Sequence, residues 1–307
     1  DIDALPIEEA VDSPFASRNP GVMHACGHDI HTGVMLGAAL LLKERGQHLP
    51  GRVRILFQPA EESFGGAKRL IKAGALEDVS AIFGMHNEPG LPVGAFATRG
   101  GAFYANVDRF SLKVSGKGAH AARPHEGNDA ILLASQLVVA LQSIASRNVN
   151  TLESVVLSVT RIQGGNTWNV LPEHVELEGT LRTHDAAIRA QVKKRVEAIA
   201  AGLAQAFDAG IAVTWFDGPD ALVNHPQWAD FAREVANEHG YRTAEADLHM
   251  GGEDFAVYLQ QIPGAFVSIG SDSLYGLHHP AFNPDEGLID EAARYFARLA
   301  EKALQHP

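Results

Sequence analysis

The sequence predicts a mostly parallel α/β domain with a smaller α+β domain inserted into it. Three observations carry this. Short apolar runs with helical stretches between them occupy both outer parts of the chain. The rhythm changes to alternating strands in the middle, and 307 residues exceed what one core comfortably serves. The expected division is 1–105 with 217–307 for the outer domain and 106–216 for the insert.

In the outer domain, RVRILFQ (52–58), AIFGMH (81–86) and GAFVSIG (264–270) read as buried strands of a largely parallel sheet. The stretch 32–45 is apolar nearly all round, through Val34, Met35, Leu36, Leu40, Leu41 and Leu42. It reads as a helix buried against that sheet. The first residues, DIDALPIEE, begin abruptly in what reads as the end of a strand and lack an initiator methionine. A preceding segment is expected.

The insert alternates. FSLKV (110–114) puts Phe110, Leu112 and Val114 on one face, and VELEGTLR (175–182) does the same with Val175, Leu177 and Leu181. One amphipathic helix carries Leu133, Leu137, Leu141 and Ile144, and another Ile188, Val192, Val196, Ile199 and Leu203. With SVVLSVTRI (154–162) and IAVTW (211–215) added, the order is β-α-β-β-α-β, an antiparallel sheet with helices on one face.

Composition narrows the function. Apolar content of 46% and charged content of 20% describe a soluble globular protein. A net charge of -12 argues against nucleic acid or an anionic membrane as partner and favours a small molecule. No apolar run is expected to reach the roughly 18 residues that a membrane helix needs. The single cysteine excludes an intramolecular disulfide, so the cytoplasm is the expected location.

That cysteine sits in MHACGHDIHT (23–32) among three histidines and an aspartate. Cys26 and His28, two apart in a glycine-containing loop that leads into a helix, can turn toward one metal ion. Singly, such residues are usually a small buried hydrophobe and a satisfied polar group. The neighbours decide otherwise. QPAEES (58–63) offers Glu61 and Glu62 after a strand, and adjacent side chains of an extended loop diverge, so one can bind metal while the other addresses water. GMHNEP (84–89) offers His86 at the end of a strand, and LYGLHHP (274–280) offers His278 or His279. Open α/β sheets place ligand sites at such strand ends.

Together MHACGHDIHT, QPAEE, GMHNEP, GGEDF (251–255) and LHHPAFNPDE (277–286) resemble the signatures of the M20 metallopeptidase and amidohydrolase family. The resemblance is to its aminoacylase-like branch of hippurate hydrolases and indole-acetyl-amino-acid hydrolases. It covers essentially the whole chain. It implies a dinuclear metal site with Cys26, His28, Glu62, His86 and His278 as ligands and Glu61 as general base; on chemical grounds such ligands suit two divalent ions of Mn, Zn, Co or Ni about equally well. Family members usually carry a substantial segment before DIDALP, and Asp1 and Asp3 correspond to a region near the metals. Cys26 then reads as a bridging thiolate. His24, His31 and Asp29 read as residues that orient the ligands, with a helix N-cap an equal alternative for Asp29.

The implied reaction is hydrolysis of an N-acyl amino acid to carboxylate and free amino acid. Glu61 takes a proton from the attacking water and returns it to the leaving amine. GKGAHAARPHEG (116–127) resembles the family segment whose histidine reaches the partner subunit's active site, which makes His120 an oxyanion donor and the chain a homodimer. GGNTWNVLPEH and GTLR resemble substrate-holding segments, implicating Asn169 and Arg182. Alternation along the strand also allows Arg182 an ordinary ion pair with Glu176 or Glu178. Rival readings are a metallo-carboxypeptidase or dipeptidase of the same fold, a thiol amidase using Cys26 with His24 or His28 as base, and a noncatalytic metal-binding dimeric fragment.

Overall fold

The computed structural model describes residues 1–45 and 49–305. In chain order the main strands are β1 (Ile82–Glu88), β2 (Ala95–Thr98), β3 (Asn106–Ser115), β4 (Val155–Gly164), β5 (His174–Thr183), β6 (Gly210–Asp217), β7 (Arg242–Glu245) and β8 (Gly264–Gly270). The main helices are α1 (His28–Arg45), α2 (Ala130–Ser143), α3 (Ala186–Ala206), α4 (Pro226–His239) and α5 (Leu288–Ala303). The chain divides into two compact units. One comprises Asp1–Phe103, Val223–Leu248 and the stretch from Glu253 onward, and the other Tyr104–Leu222 with His249–Gly252.

The first unit is built on a sheet of order β1-β8-β2-β7. β1 runs parallel to β8, with His86 beside Ser268, and β2 parallel to β7, while β8 and β2 are antiparallel. All seven residues of β8 are buried, as its unbroken apolar run requires of a strand covered on both faces. Met85, Phe96, Val267 and Ile269 of the sheet share a core with Val34 and Ala38 of α1 and Tyr295 and Leu299 of α5. Pro226 opens α4 and Gly240, at φ +97°, closes it in the left-handed conformation.

Two expectations fail here. Residues 52–58 run without regular strand pairing, and Val53 and Phe57 stay exposed. Apolarity alone does not bury a strand, which also needs a ladder neighbour and a covering layer. α1 is not buried all round either: Val34, Ala38 and Leu42 face the core, while Leu36 and Leu40 are more than half exposed. At 3.6 residues per turn only one stripe of a helix can face a single core.

The second unit holds an antiparallel sheet of order β4-β5-β3-β6. Phe110, Leu112, Leu177 and Leu181 of the sheet and Leu133, Leu137, Leu141 and Val196 of the helices are fully buried in one core. Asp129 and Asp185 cap α2 and α3 by accepting from the second and third backbone N–H groups beyond them, contacts worth about 1 kcal/mol each. The stretch 130–148 is long and apolar enough to cross a membrane, contrary to expectation. Its Leu133, Leu137, Leu141 and Ile144 instead pack in the core of this unit. Asp108, fully buried, is held by two Arg189 bonds of 2.7 and 2.6 Å and by Lys193 at 3.1 Å. Stripping such a charge of its partner costs about 3–5 kcal/mol, so this triad pins α3 to β3.

Candidate metal centre

Four segments of the first unit bring polar atoms together: the loop before α1, the 58–67 turn, the carboxyl end of β1 and the loop after β8. Cys26, His28 and His86 offer ligand atoms within 4.8 Å of one another, and so do Cys26, Glu62 and His278. The two triads share the Cys26 sulfur. His28, Glu61 and Glu62 form a third such group.

Hydrogen bonds fix which atoms face the centre. His28 Nδ1 lies 3.0 Å from the carbonyl of Asp3, which can only accept, so Nδ1 carries the proton and Nε2 presents a lone pair. That buried Nε2 makes no hydrogen bond. His86 is set the same way, its Nδ1–H donating to the Asn87 carbonyl at 2.7 Å, and the Cys26 thiol donates to its Nε2 at 3.3 Å. Glu62 Oε1 lies 3.3 Å from His278 Nε2 yet makes no hydrogen bond, while Asp3 Oδ2 accepts from the Glu62 backbone N–H. His279, the alternative to His278, stacks on Tyr275 at 4.4 Å and belongs to none of these groups of ligand atoms among the described residues.

The backbone bends sharply to achieve this. Ala60, Phe64 and His278 adopt φ of +60°, +52° and +64°, a left-handed region that side chains other than glycine seldom enter. The 58–67 turn is braced by Asp254, whose carboxylate accepts from Gln58 Nε2 at 2.6 Å and from the Ala67 N–H at 3.0 Å. Tyr258 OH donates to Gln58 Oε1 at 2.6 Å. The GGEDF motif contains Asp254, whose bracing role no local spacing signals. Gln58 lies in QPAEE and Asn87 in GMHNEP, but only their contacts with distant segments reveal what they do.

His31 accepts the Asn87 N–H at Nε2, so it helps anchor the centre, and Asp29 accepts from the Ile30 N–H in the first turn of α1. Buried Nδ1 of His24 makes no hydrogen bond.

The electrostatics are those of a site short of positive charge. Burial, reinforced by Glu253 and Glu62, pushes the Glu61 carboxyl up to about 10. Burial pushes Glu253 up to about 8. Burial and the carboxylates of Glu62 and Glu61 push the Cys26 thiol up, and burial lowers His28 to about 4, so its imidazole is neutral. Unpartnered nitrogen and carboxylate lone pairs, a soft sulfur and crowded acids are a donor set suited to divalent ions such as zinc, manganese, cobalt or nickel.

The remaining residues expected from sequence lie in the second unit. His120 sits in a two-residue strand paired with Val170, and its Nδ1 accepts the Ala122 N–H at 3.0 Å. Its proton is therefore on Nε2, which makes it an outward donor. The Asn169 carbonyl accepts from Ala121, and its side chain accepts from the Thr167 hydroxyl. Arg182 is half-buried and in no ion pair among the described residues, because Glu178 pairs with Arg109 and Arg161 instead.

Ligand-type side chains gathered from the end of β1, the loop after β8, the loop before α1 and the 58–67 turn, with a buried carboxyl among them, form the kind of site a metallohydrolase uses. Residues 1–302 match the profile of peptidase family M20/M25/M40. The N-acetyl-L-cysteine deacetylase of Bacillus subtilis (strain 168) is 47% identical over 304 residues, 99% of this chain and 73% of the relative. The N-acetylcysteine deacetylase of the same organism is 45% identical over 305 residues, 99% of this chain and 80% of the relative. The crystal structure of the Bacillus subtilis YXEP protein, described as a dinuclear metal-binding peptidase of the M20 family, superposes with a TM-score of 0.89 at 42% identity. That match covers all of this chain and 80% of the other. The chain belongs to peptidase family M20/M25/M40 and is a hydrolase acting on amide bonds.

Proposed function

We propose that this protein is a metal-dependent amidohydrolase that splits N-acyl amino acids, of N-acetyl or hippurate type, into a carboxylate and a free amino acid. The observation that carries the reading is the pair of ligand triads sharing Cys26 beside the buried carboxyl of Glu61. Two close relatives are deacetylases of N-acetylated cysteine, which supports an acylated amino acid over a peptide.

Cys26, His28, Glu62, His86 and His278 would hold two divalent ions, with the Cys26 thiol common to both triads. When bound, the ions polarise the amide carbonyl and favour the ionised forms of the thiol and of water. Glu61 accepts the proton of the attacking water and delivers it to the leaving nitrogen. His120 donates from Nε2 to the developing oxyanion, and Asn169 and Arg182 hold the substrate, Arg182 by its carboxylate. That Arg182 is in no ion pair among the described residues supports that role. The thiol-nucleophile reading is weaker, because a reactive thiolate needs an electropositive setting and Cys26 is buried among carboxyls. A single free thiol also suits the reducing cytoplasm.

A panel of acetyl-, benzoyl- and indole-acetyl-amino acids, offered to metal-reconstituted protein, tests the function. Hydrolysis that chelation abolishes is expected. Absence of turnover on every member would overturn the assignment.

The protein acts as a homodimer through the sheet of its second unit. β4 is an edge strand, and exposed Ile162 on it, with Ile131, Leu132 and Val139 on α2, gives this unit apolar surface that a second copy would cover. His120 of one subunit then serves the metals of the other. Mixing a His120→Ala chain with a Glu61→Gln chain is expected to restore a fraction of wild-type activity, since one site of each mixed dimer has both residues intact. Heterodimers that form without recovery would mean that His120 serves its own subunit or none.

A further inference from the structure

We infer that Asn87 is the positioning residue that sets Cys26 against His86, so that one sulfur can serve two cations. The inference rests on the dinuclear reading above and adds to it a residue that is not itself a ligand.

Asn87 is 1% exposed, and its polar groups reach four segments of the chain. Its side-chain N–H donates to the Cys26 carbonyl at 2.7 Å, and its backbone N–H donates to His31 Nε2 of α1 at 3.1 Å. Its carbonyl accepts from His86 Nδ1 at 2.7 Å, and its Oδ1 accepts from the Ser271 hydroxyl at 3.1 Å. One amide thus ties the cysteine loop to the end of β1 and to the residue following β8.

The cysteine loop is shaped around this side chain. Gly27 stands at φ +79°, and a Cβ added there would lie 2.4 Å from Asn87 Nδ2, closer than any neighbour tolerates. The glycine of ACGH therefore lets the loop close onto Asn87. With the Cys26 carbonyl clamped on one side and the His86 ring on the other, Sγ and Nε2 are held 3.3 Å apart. The carbonyl bond fixes where the Cys26 backbone stands, and the ring bond fixes both the tautomer and the plane of His86. Ser271 orients the amide itself: its hydroxyl hydrogen makes Oδ1 the acceptor and turns the amino group toward Cys26.

The test uses cobalt-loaded protein, whose thiolate-to-metal absorption in the near ultraviolet reports Cys26 directly. Asn87→Asp keeps shape but replaces the donor to the Cys26 carbonyl with an acceptor. Metal affinity is expected to fall by roughly tenfold or more, as for loss of other groups that orient ligands. The absorption should weaken with it, and kcat should drop more than KM changes. Ser271→Ala, which removes only the hydroxyl that orients the amide, should shift the same readouts in the same direction by less. Should Asn87→Asp not fold by circular dichroism, Ser271→Ala alone decides. Wild-type absorption and affinity in every variant that folds would overturn the role of Asn87. Wild-type protein that binds no second cobalt, or shows no thiolate band, would overturn the shared-sulfur reading beneath it.

Discussion

Replacing Glu61 with glutamine is expected to lower hydrolysis by roughly a hundredfold or more while both metals stay bound. The substitution preserves volume in a pocket where the side chain is 6% exposed, so packing gives little reason for collapse. On the proposed mechanism, what it removes is the proton acceptor. Glu61 oxygen lies within 4.8 Å of ligand atoms on His28 and Glu62, and of carboxylate oxygens on Glu253 and Asp254. In that crowd, burial and like charge favour a protonated carboxyl, and bound divalent cations would favour the ionised form. A carboxyl so placed can change protonation state during a turnover, whereas an amide cannot. Metal analysis alongside kcat decides the matter. Loss of metal would mean that Glu61 is the ligand and Glu62 the base.

Cys26→Ser should cost metal as well as activity. A hydroxyl fits the space but is a hard, weakly acidic donor that bridges poorly between cations of this kind. Because both triads contain Cys26, the substitution weakens two positions at once. Affinity is expected to fall by roughly tenfold or more, at least the loss that follows removal of an outer partner. Elemental analysis of the dialysed protein gives the answer. Full occupancy with abolished activity would return Cys26 to the role of nucleophile.

Patterns of local period were legible in the sequence. GAFVSIG became β8 without a residue's difference, and the alternating insert strands and helices arose where their spacing placed them. The failures share a cause: residues 52–58 and the outer stripe of α1 are apolar enough to be buried, but burial depends on what lies across from them. At the centre, the chemistry-bearing side chains stood out by type, because thiol, imidazole and carboxylate recur after strand candidates. The groups that orient them did not. Asn87 reaches Cys26 across 61 positions of sequence and Gln58 reaches Asp254 across 196, and neither spacing carries a periodic signal. Arg182 was ambiguous for a similar reason. Alternation put it on the face of Glu178, and only the competing arginines show that this carboxylate is engaged elsewhere.

The left-handed backbone at Ala60, Phe64 and His278 bears on how the centre fills. Such conformations cost of order 1–3 kcal/mol each and persist only where surrounding contacts over-determine them. Here Asp254, Gln58 and Tyr258 brace the turn that holds two of the three. These bonds offset part of the conformational cost of the turn from within the chain. Glu62, carried on this turn, is thus set in place by contacts between residues that are not themselves proposed ligands, so the chain's own hydrogen bonds bear part of the cost of organising the site.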